Sequence, residues 1–332
     1  ARFQLASHFQ LVAPQFEDEH DDVCASKASD TILTLCRVLN QPYGVALTAL
    51  VYLQMYKNAS ARWKATSSQA HNDATVVSAN SASLGSDSSS DSSSGKMDRH
   101  EQFLISASCV LLAWKYREDD MNVIKSTGKI FEFTSVLYKV YVAQSENCST
   151  TPSVSRWMIQ DEGKEITKLK AQLIEHETHL LHALDYHVGP VSLPHKLIPS
   201  YVRKFLIAIA NDLSDLQDLA LKMDNLVGLL VLDCYKTRIC IDYTSGEILV
   251  SCVIKAACLM TVAGVCPRVF APSAQQQDYF GYVLDMESRL GTFFTEIGKV
   301  EMRAERISQC LFDIRRYLPL PAKSDSIAMT GC

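Results

Sequence analysis

Two charged residues interrupt apolar stripes, and a charge in such a place has chemistry to do. Between Glu165 and Leu184 the sequence predicts a long amphipathic helix whose apolar face carries Ile166, Leu169, Leu173, Leu180, Leu181 and Leu184. Helical spacing puts position 177 on that face, and it is Glu. A carboxylate there must find a partner or reach water, because an unpaired buried charge is costly. Between Gln102 and Tyr116 a second, strongly apolar helix places Leu104, Ser108, Leu111 and Lys115 on one face. A Lys at a helix C-terminus is favoured by the helix dipole and snorkels into water, so alone it says little. Lys115 and Glu177 taken together point to an ion pair between two helices.

The histidines around Glu177 invite a metal reading, but their spacing opposes it. Metal-dependent proteases of the zincin type need HExxH, two ligands one helical turn apart with a base between them. Here the order is His176-Glu177-Thr178-His179, so the second His comes one residue early, and His182 faces elsewhere. Solvated or hydrogen-bonded histidines are expected, His187 included, and no metal. GxSxG, P-loop and strand-following GxGxxG motifs are absent. Catalysis by this chain is not expected, and no cofactor is implied.

Helical periodicity dominates the rest, and strand signals are scarce. Helices are predicted over Asp30–Leu39, then from Pro42 through Tyr56, the Pro serving as a first-turn starter. Residues 58 to 97 change character abruptly, rich in Ser, Ala, Asn and Asp and ending in Ser86-Asp-Ser-Ser-Ser-Asp-Ser-Ser-Ser94. That composition buries too little apolar surface to offset ordering entropy, so disorder is expected. Ser88, with Asp91 three residues on, is a candidate phosphorylation site for acidophilic kinases. Helices follow over Gln102–Tyr116, Asn122–Val142 and Glu165–Leu184, with a polar loop from about Gln144 to Pro152. Beyond Pro190 they run over Pro194–Ala210, Leu213–Lys236, Gly246–Gly264 and Gln276–Arg306, with a short last one over Phe312–Tyr317.

The chain has 332 residues, 47% hydrophobic and 21% charged, with a net charge of −5. This is ordinary globular usage with room for two domains, and it argues against a dedicated nucleic-acid binder. The 11 cysteines are odd in number, form no CxxC pair and mostly lie in apolar runs. They read as core residues of a protein in a reducing, intracellular compartment. The sequons at Asn58 and Asn147 are then chance matches. No signal-peptide layout is visible, and the chain does not begin with Met. Ile248–Cys266 is apolar enough to resemble a membrane span, yet Lys255 sits at its middle at a cost of about 2.5–3.5 kcal/mol. A buried core helix, and no membrane, is expected.

An internal repeat points to two similar halves. Tyr56-Lys57 and Tyr235-Lys236 each end an apolar helix, while Ser108-Cys109-Val110 and Ser251-Cys252-Val253 each open the next. The Ser-rich stretch falls between the members of the first pair only, as an insertion into one copy.

In order and spacing these segments resemble the cyclin box. Leu112-Ala113-Trp114-Lys115-Tyr116-Arg117-Glu118 is similar to the LAxKxEE end of that family's buried helix. Thr48-Ala49-Leu50-Val51-Tyr52-Leu53-Gln54-Met55-Tyr56 resembles the TAIVYMxRFY segment before it, and Glu177, Leu181, Leu184 and Tyr186 follow the fifth helix's pattern. Pro194-His195 with Tyr201 looks like the transcription-type cyclins T, K and L. The resemblance covers roughly Asp22 to Arg306. It implies an all-α fold of two tandem cyclin-box five-helix repeats, the first over 22–189 and the second over 190–318, between an N-terminal extension over 1–21 and a C-terminal tail over 319–332. It further implies a nuclear regulatory subunit, itself no enzyme, that activates a cyclin-dependent kinase catalytic subunit as a heterodimer, in transcription or RNA-processing control. Lys115 and Glu177 would clasp the kinase backbone beside its regulatory helix, with Tyr116, Leu181, Tyr186 and Val188 packing on that helix.

The sequence also departs from the family. Where mitotic cyclins carry the MRAIL substrate-docking segment, this chain reads Cys24-Ala25-Ser26-Lys27-Ala28, with Thr31 at the groove's Trp position and Gln54 where a charge is common. A transcription factor of the IIB type shares the duplicated fold but binds DNA; the basic surface and zinc ribbon it needs are not visible. A helical scaffold of the armadillo or HEAT kind would show more repeats than two.

Overall fold

The computed structural model describes residues 19–76, 99–117, 126–145, 163–189, 191–209, 216–262 and 304–318. Among them are ten helices and no strand, so the fold is all-α. These are α1 (Glu19–Val38), α2 (Tyr43–Val76), α3 (Arg99–Tyr116), α4 (Ser126–Ser145), α5 (Gly163–Ala183), α6 (Ile198–Ile209), α7 (Leu216–Lys236), α8 (Ile239–Asp242), α9 (Ser245–Val262) and α10 (Ala304–Tyr317). The chain divides into two compact units, Ser26–Gly189 in one and Ala1–Ala25 with Pro190–Cys332 in the other.

The first unit is built around α3. Phe103 through Ala113 are all buried, so this helix has no solvent face and must be covered on every side. Helices α2 and α5 pack against it, and α4 packs on both α3 and α5. Its buried hydroxyls turn inward without cost: Ser106 donates to the Gln102 carbonyl at 2.8 Å and Ser108 to that of Leu104 at 2.9 Å. Ser108 also lies 3.4 Å from the Leu173 carbonyl on α5.

Helix α1 buries Ala28, Ile32, Leu35 and Cys36, one stripe at helical spacing. It ends where Asn40 takes the left-handed region (φ 50). Asn40 N–H then bonds Arg37 and Gln41 N–H bonds Cys36, closing the last carbonyls before Pro42. The break predicted at Gln41-Pro42 is therefore present.

The second unit is built around α9. Glu247 through Ala257 are buried, α7 and α10 pack on α9, and α6 packs on α7 and α9. The stretch containing Lys255 is thus the core of a helical unit. Among the described residues no helix is long and apolar enough to cross a membrane. Ser251 lies 3.4 Å from the Ile307 carbonyl on α10, as Ser108 does from Leu173 on α5.

Four expectations need correction. The stretch 58–97 is not disordered from its start: α2 continues to Val76. Ala59, Ala61, Ala65, Ala70 and Ala74 are strong helix formers, and no Gly or Pro intervenes before Gly85. Positions 77–97, Ser88 among them, lie outside the described residues, as do 276–303. The last helix spans Ala304–Tyr317, not Phe312–Tyr317, because Ile307, Cys310, Leu311 and Ile314 form one buried stripe. Helix α1 begins at Glu19 rather than Asp30, and α4 runs on to Ser145.

Candidate protein-interaction site

Lys115 stands in the last turn of α3, where the helix dipole favours a cation. Glu177 lies on the buried stripe of α5 with Ile166, Leu169, Leu173 and Leu180. Because α3 and α5 pack together, the two side chains meet. Lys115 Nζ donates to both Glu177 oxygens, at 2.7 Å and 2.8 Å. The carboxylate side chain is only 12% exposed and the ammonium side chain 45%. Such a half-solvated pair contributes little to stability, nearer the ~0–1 kcal/mol of surface pairs than the value of a buried one. What it does is fix a charge in space. The ammonium has three donors and the carboxylate takes two, which leaves hydrogen-bonding capacity facing outward.

The neighbours are apolar and partly exposed. Leu181 and Tyr116 are half-buried, and Tyr186 is 58% exposed. Ile174, three residues before Glu177 on α5, is 48% exposed and extends this rim. It escaped the sequence reading because it falls off the buried stripe; an isoleucine displayed one turn from the buried acid was the available signal. Trp114, next to Lys115, lies 6.2 Å from the Phe133 ring of α4, and Arg117 Nε donates to the Thr48 hydroxyl of α2 at 3.0 Å. The end of α3 is therefore tied to two neighbours.

The end of α5 is tightly wound. Asp185 N–H bonds His182 at 3.0 Å and Tyr186 N–H bonds Leu181 at 2.9 Å, the paired bonds of a left-handed helix stop. Both Asp185 (φ 51) and Tyr186 (φ 56) occupy the left-handed region. For a bulky residue this costs on the order of 1–3 kcal/mol and persists only where surrounding contacts over-determine it. One such contact is the Val188 carbonyl, 3.4 Å from the hydroxyl of Tyr52 on α2. Another is the side chain of Tyr186, whose hydroxyl lies 3.2 Å from His182 Nε2.

Two of the histidines have partners within their own helix or the turn after it. His176 Nδ1 bonds the Gln172 carbonyl at 2.8 Å, so that nitrogen donates; His182 meets Tyr186 edge to face at 5.1 Å. Among the described residues no group of three His, Cys, Asp or Glu side chains is placed to hold a metal ion.

The second unit spends its charges differently. Thr244 and Glu247 form a capping box at the start of α9: Thr244 N–H donates to Glu247 Oε2 at 2.8 Å and Glu247 N–H to Thr244 Oγ1 at 3.3 Å. Arg306 of α10 grips the same carboxylate through Nε at 3.0 Å and Nη2 at 3.2 Å, and lies 4.7 Å over the Tyr243 ring. Burial alone would raise the Glu247 carboxyl, but the Arg306 and Thr244 hydrogen bonds outweigh it and hold it below the usual range. Tyr243 donates to Asp313 at 2.5 Å; burial first, then that bond, push its phenol up. None of these residues was singled out from sequence, although Thr244-x-x-Glu247 before an apolar run was legible as a cap.

Lys255, 2% exposed, donates to the carbonyls of Ile314 and Leu318 at 3.3 Å and 2.5 Å. It closes the C-terminal end of α10, and burial lowers its pKa. Cys234 and Cys252 lie 3.7 Å apart in this core, both free thiols.

No protein-family model, curated protein or solved structure matches this chain.

Proposed function

We propose that this chain is a cyclin-type regulatory subunit, its two units being tandem cyclin boxes, which binds and activates a cyclin-dependent kinase catalytic subunit. The observation that carries the reading is the ion pair between Lys115 and Glu177, with Tyr116 next to Lys115 in sequence and Leu181 one helical turn after Glu177. With Tyr186 and Val188, these are the residues that the resemblance assigns to kinase contact; they lie at the end of α3 and on α5 with the turn after it, and the ion pair joins the two helices. A fixed charge pair gives orientation, while an apolar rim supplies area to desolvate, the division of labour found in protein interfaces. The partner's regulatory helix is a two-state element, and a surface that binds one state better shifts its population toward activity. That helix then pairs the catalytic Lys of the kinase with its Glu.

The proposed setting is the nucleus, with transcription or RNA-processing control through phosphorylation of the RNA polymerase II C-terminal domain. The test is reconstitution. The full chain is mixed with each of a panel of recombinant cyclin-dependent kinases, and phosphorylation of a C-terminal-domain repeat peptide is followed. Activation of one or more kinases that is lost in Glu177→Ala supports the reading. No activation of any kinase, with salt-sensitive binding to duplex DNA instead, replaces it with the transcription factor IIB type.

A further inference from the structure

We propose that Tyr52 is a positioning residue for the interaction surface at the end of α5: its buried hydroxyl holds the Val188 carbonyl and thereby keeps the left-handed Asp185–Tyr186 turn presenting the Tyr186 ring. Tyr52 lies on α2 with no exposed surface, and its hydroxyl reaches Val188 across 136 residues of sequence. The Val188 carbonyl lies past the end of α5, where no further helical turn can satisfy it. Val188 N–H is in turn bonded to the Tyr186 carbonyl at 3.0 Å, and His187 N–H to that of Leu184 at 2.9 Å. A hold on Val188 is therefore two residues from the ring it governs. Tyr186 needs that hold, because a bulky exposed side chain at φ 56 relaxes unless its surroundings prevent it. Burial, reinforced by Tyr116 and opposed by Arg117, pushes the Tyr52 phenol up to about 12, so it stays a donor throughout the neutral range.

A buried Tyr that merely fills the core would be replaced well by Phe, and this separates packing from positioning. The experiment is Tyr52→Phe in the full chain, read by amide hydrogen exchange. Exchange across residues 185–189 should quicken about fivefold, the value of one ordinary hydrogen bond, with α3 unchanged. Unchanged exchange at the turn overturns the proposal. So does equal acceleration across α3 and the turn, which would mean that the hydroxyl serves the whole core. The second arm rests on the proposed function. The concentration of chain giving half-maximal kinase activation should rise about fivefold, with the maximal rate unaltered. A loosened turn with unaltered half-activation overturns the presenting role. If wild type activates no kinase while Tyr52→Phe still loosens the turn, the functional reading falls and the positioning stands.

Discussion

Ser108 on α3 and Ser251 on α9 each lie 3.4 Å from a carbonyl of the helix packed alongside, Leu173 on α5 and Ile307 on α10. Aligning those two contacts puts Lys115 opposite Cys258 and Glu177 opposite Leu311. The place that holds a half-exposed ion pair in the first unit is thus apolar in the second, where Leu311 is 1% exposed. The second unit's own ion pair, Glu247 with Arg306, falls in that alignment at other positions, opposite Leu104 and Gln172. Glu247 is further engaged by the α9 cap, so its charge is consumed internally. The two units therefore put charge to two uses. In the second unit it closes helix ends and joins α9 to α10. In the first it stands at the surface beside an apolar rim, where fold stability gains little from it.

The largest effects should separate these uses. On the proposed function, Lys115→Ala and Glu177→Ala are each expected to weaken kinase binding by about 2–5 kcal/mol, with Glu177→Ala, which leaves no unpaired buried charge, changing the melting free energy by less than about 1 kcal/mol. Leu311→Ala should do the reverse, costing about 2–5 kcal/mol of stability through the cavity it leaves. It should not alter the affinity of the protein that remains folded. Titration calorimetry against the activated kinase and urea denaturation supply both readouts. Binding lost to the same degree in all three variants would break the comparison.

Alkaline pH should erase the difference. Burial pushes Cys36 up to about 12 and also raises Cys109 in the first unit, and it raises Cys240 and Cys310 in the second. Their folded pKa lies above the unfolded value of about 8.5, so their stabilisation is complete below that pH and is lost above it. Each thiol should cost about 1.4 kcal/mol for each pH step of one beyond that point, until its own folded pKa is reached. Lys255 opposes the trend in the second unit, since a lowered ammonium pKa favours the folded state as pH rises toward the unfolded value. Denaturation under reducing conditions should show stability falling from pH 8.5 onward, and hydrogen exchange should show both units softening.

Acid should restore it. The Glu247 carboxyl is held low, so its contribution is present above the unfolded pKa near about 4.3 and is lost as pH falls through the folded value. Glu247→Gln is expected to cost about 1–2 kcal/mol at pH 7, the order of a lost cap. The gap from wild type should narrow as pH falls below about 4.3. A gap constant from pH 7 to pH 3 would remove the charge from the explanation.

The smallest change concerns the turn after α5. Asp185→Gly places the residue best suited to φ 51 at that position and should stabilise the chain by about 0.5–1 kcal/mol, read from its thermal midpoint. A loss of stability would mean that the Asp185 side chain holds the turn.

Legibility followed the buried surface. Helices α3, α5 and α9 were readable because their apolar runs admit few alternatives, and Lys115 and Glu177 were readable because they break those runs. The extension of α2 was hidden by Ser, Asn and Asp, whose turn-forming side chains masked the alanines between them. The start of α10 was hard to read because Phe312, its largest apolar residue, is 61% exposed and lies off the stripe of Ile307, Cys310, Leu311 and Ile314. The contact between Tyr52 and Val188 had no local signal, since it exists only after α2 and the end of α5 have met.

The buried ammonium of Lys255 has a consequence for biosynthesis. Its acceptors, the carbonyls of Ile314 and Leu318, are translated 59 and 63 residues after it. Until they arrive, α9 carries a cation that the second unit's core cannot yet accommodate. A nascent or prematurely terminated chain lacking α10 must therefore keep that helix in water or leave a charge orphaned inside. Closure of the second unit around Lys255 thus waits on delivery of the final helix.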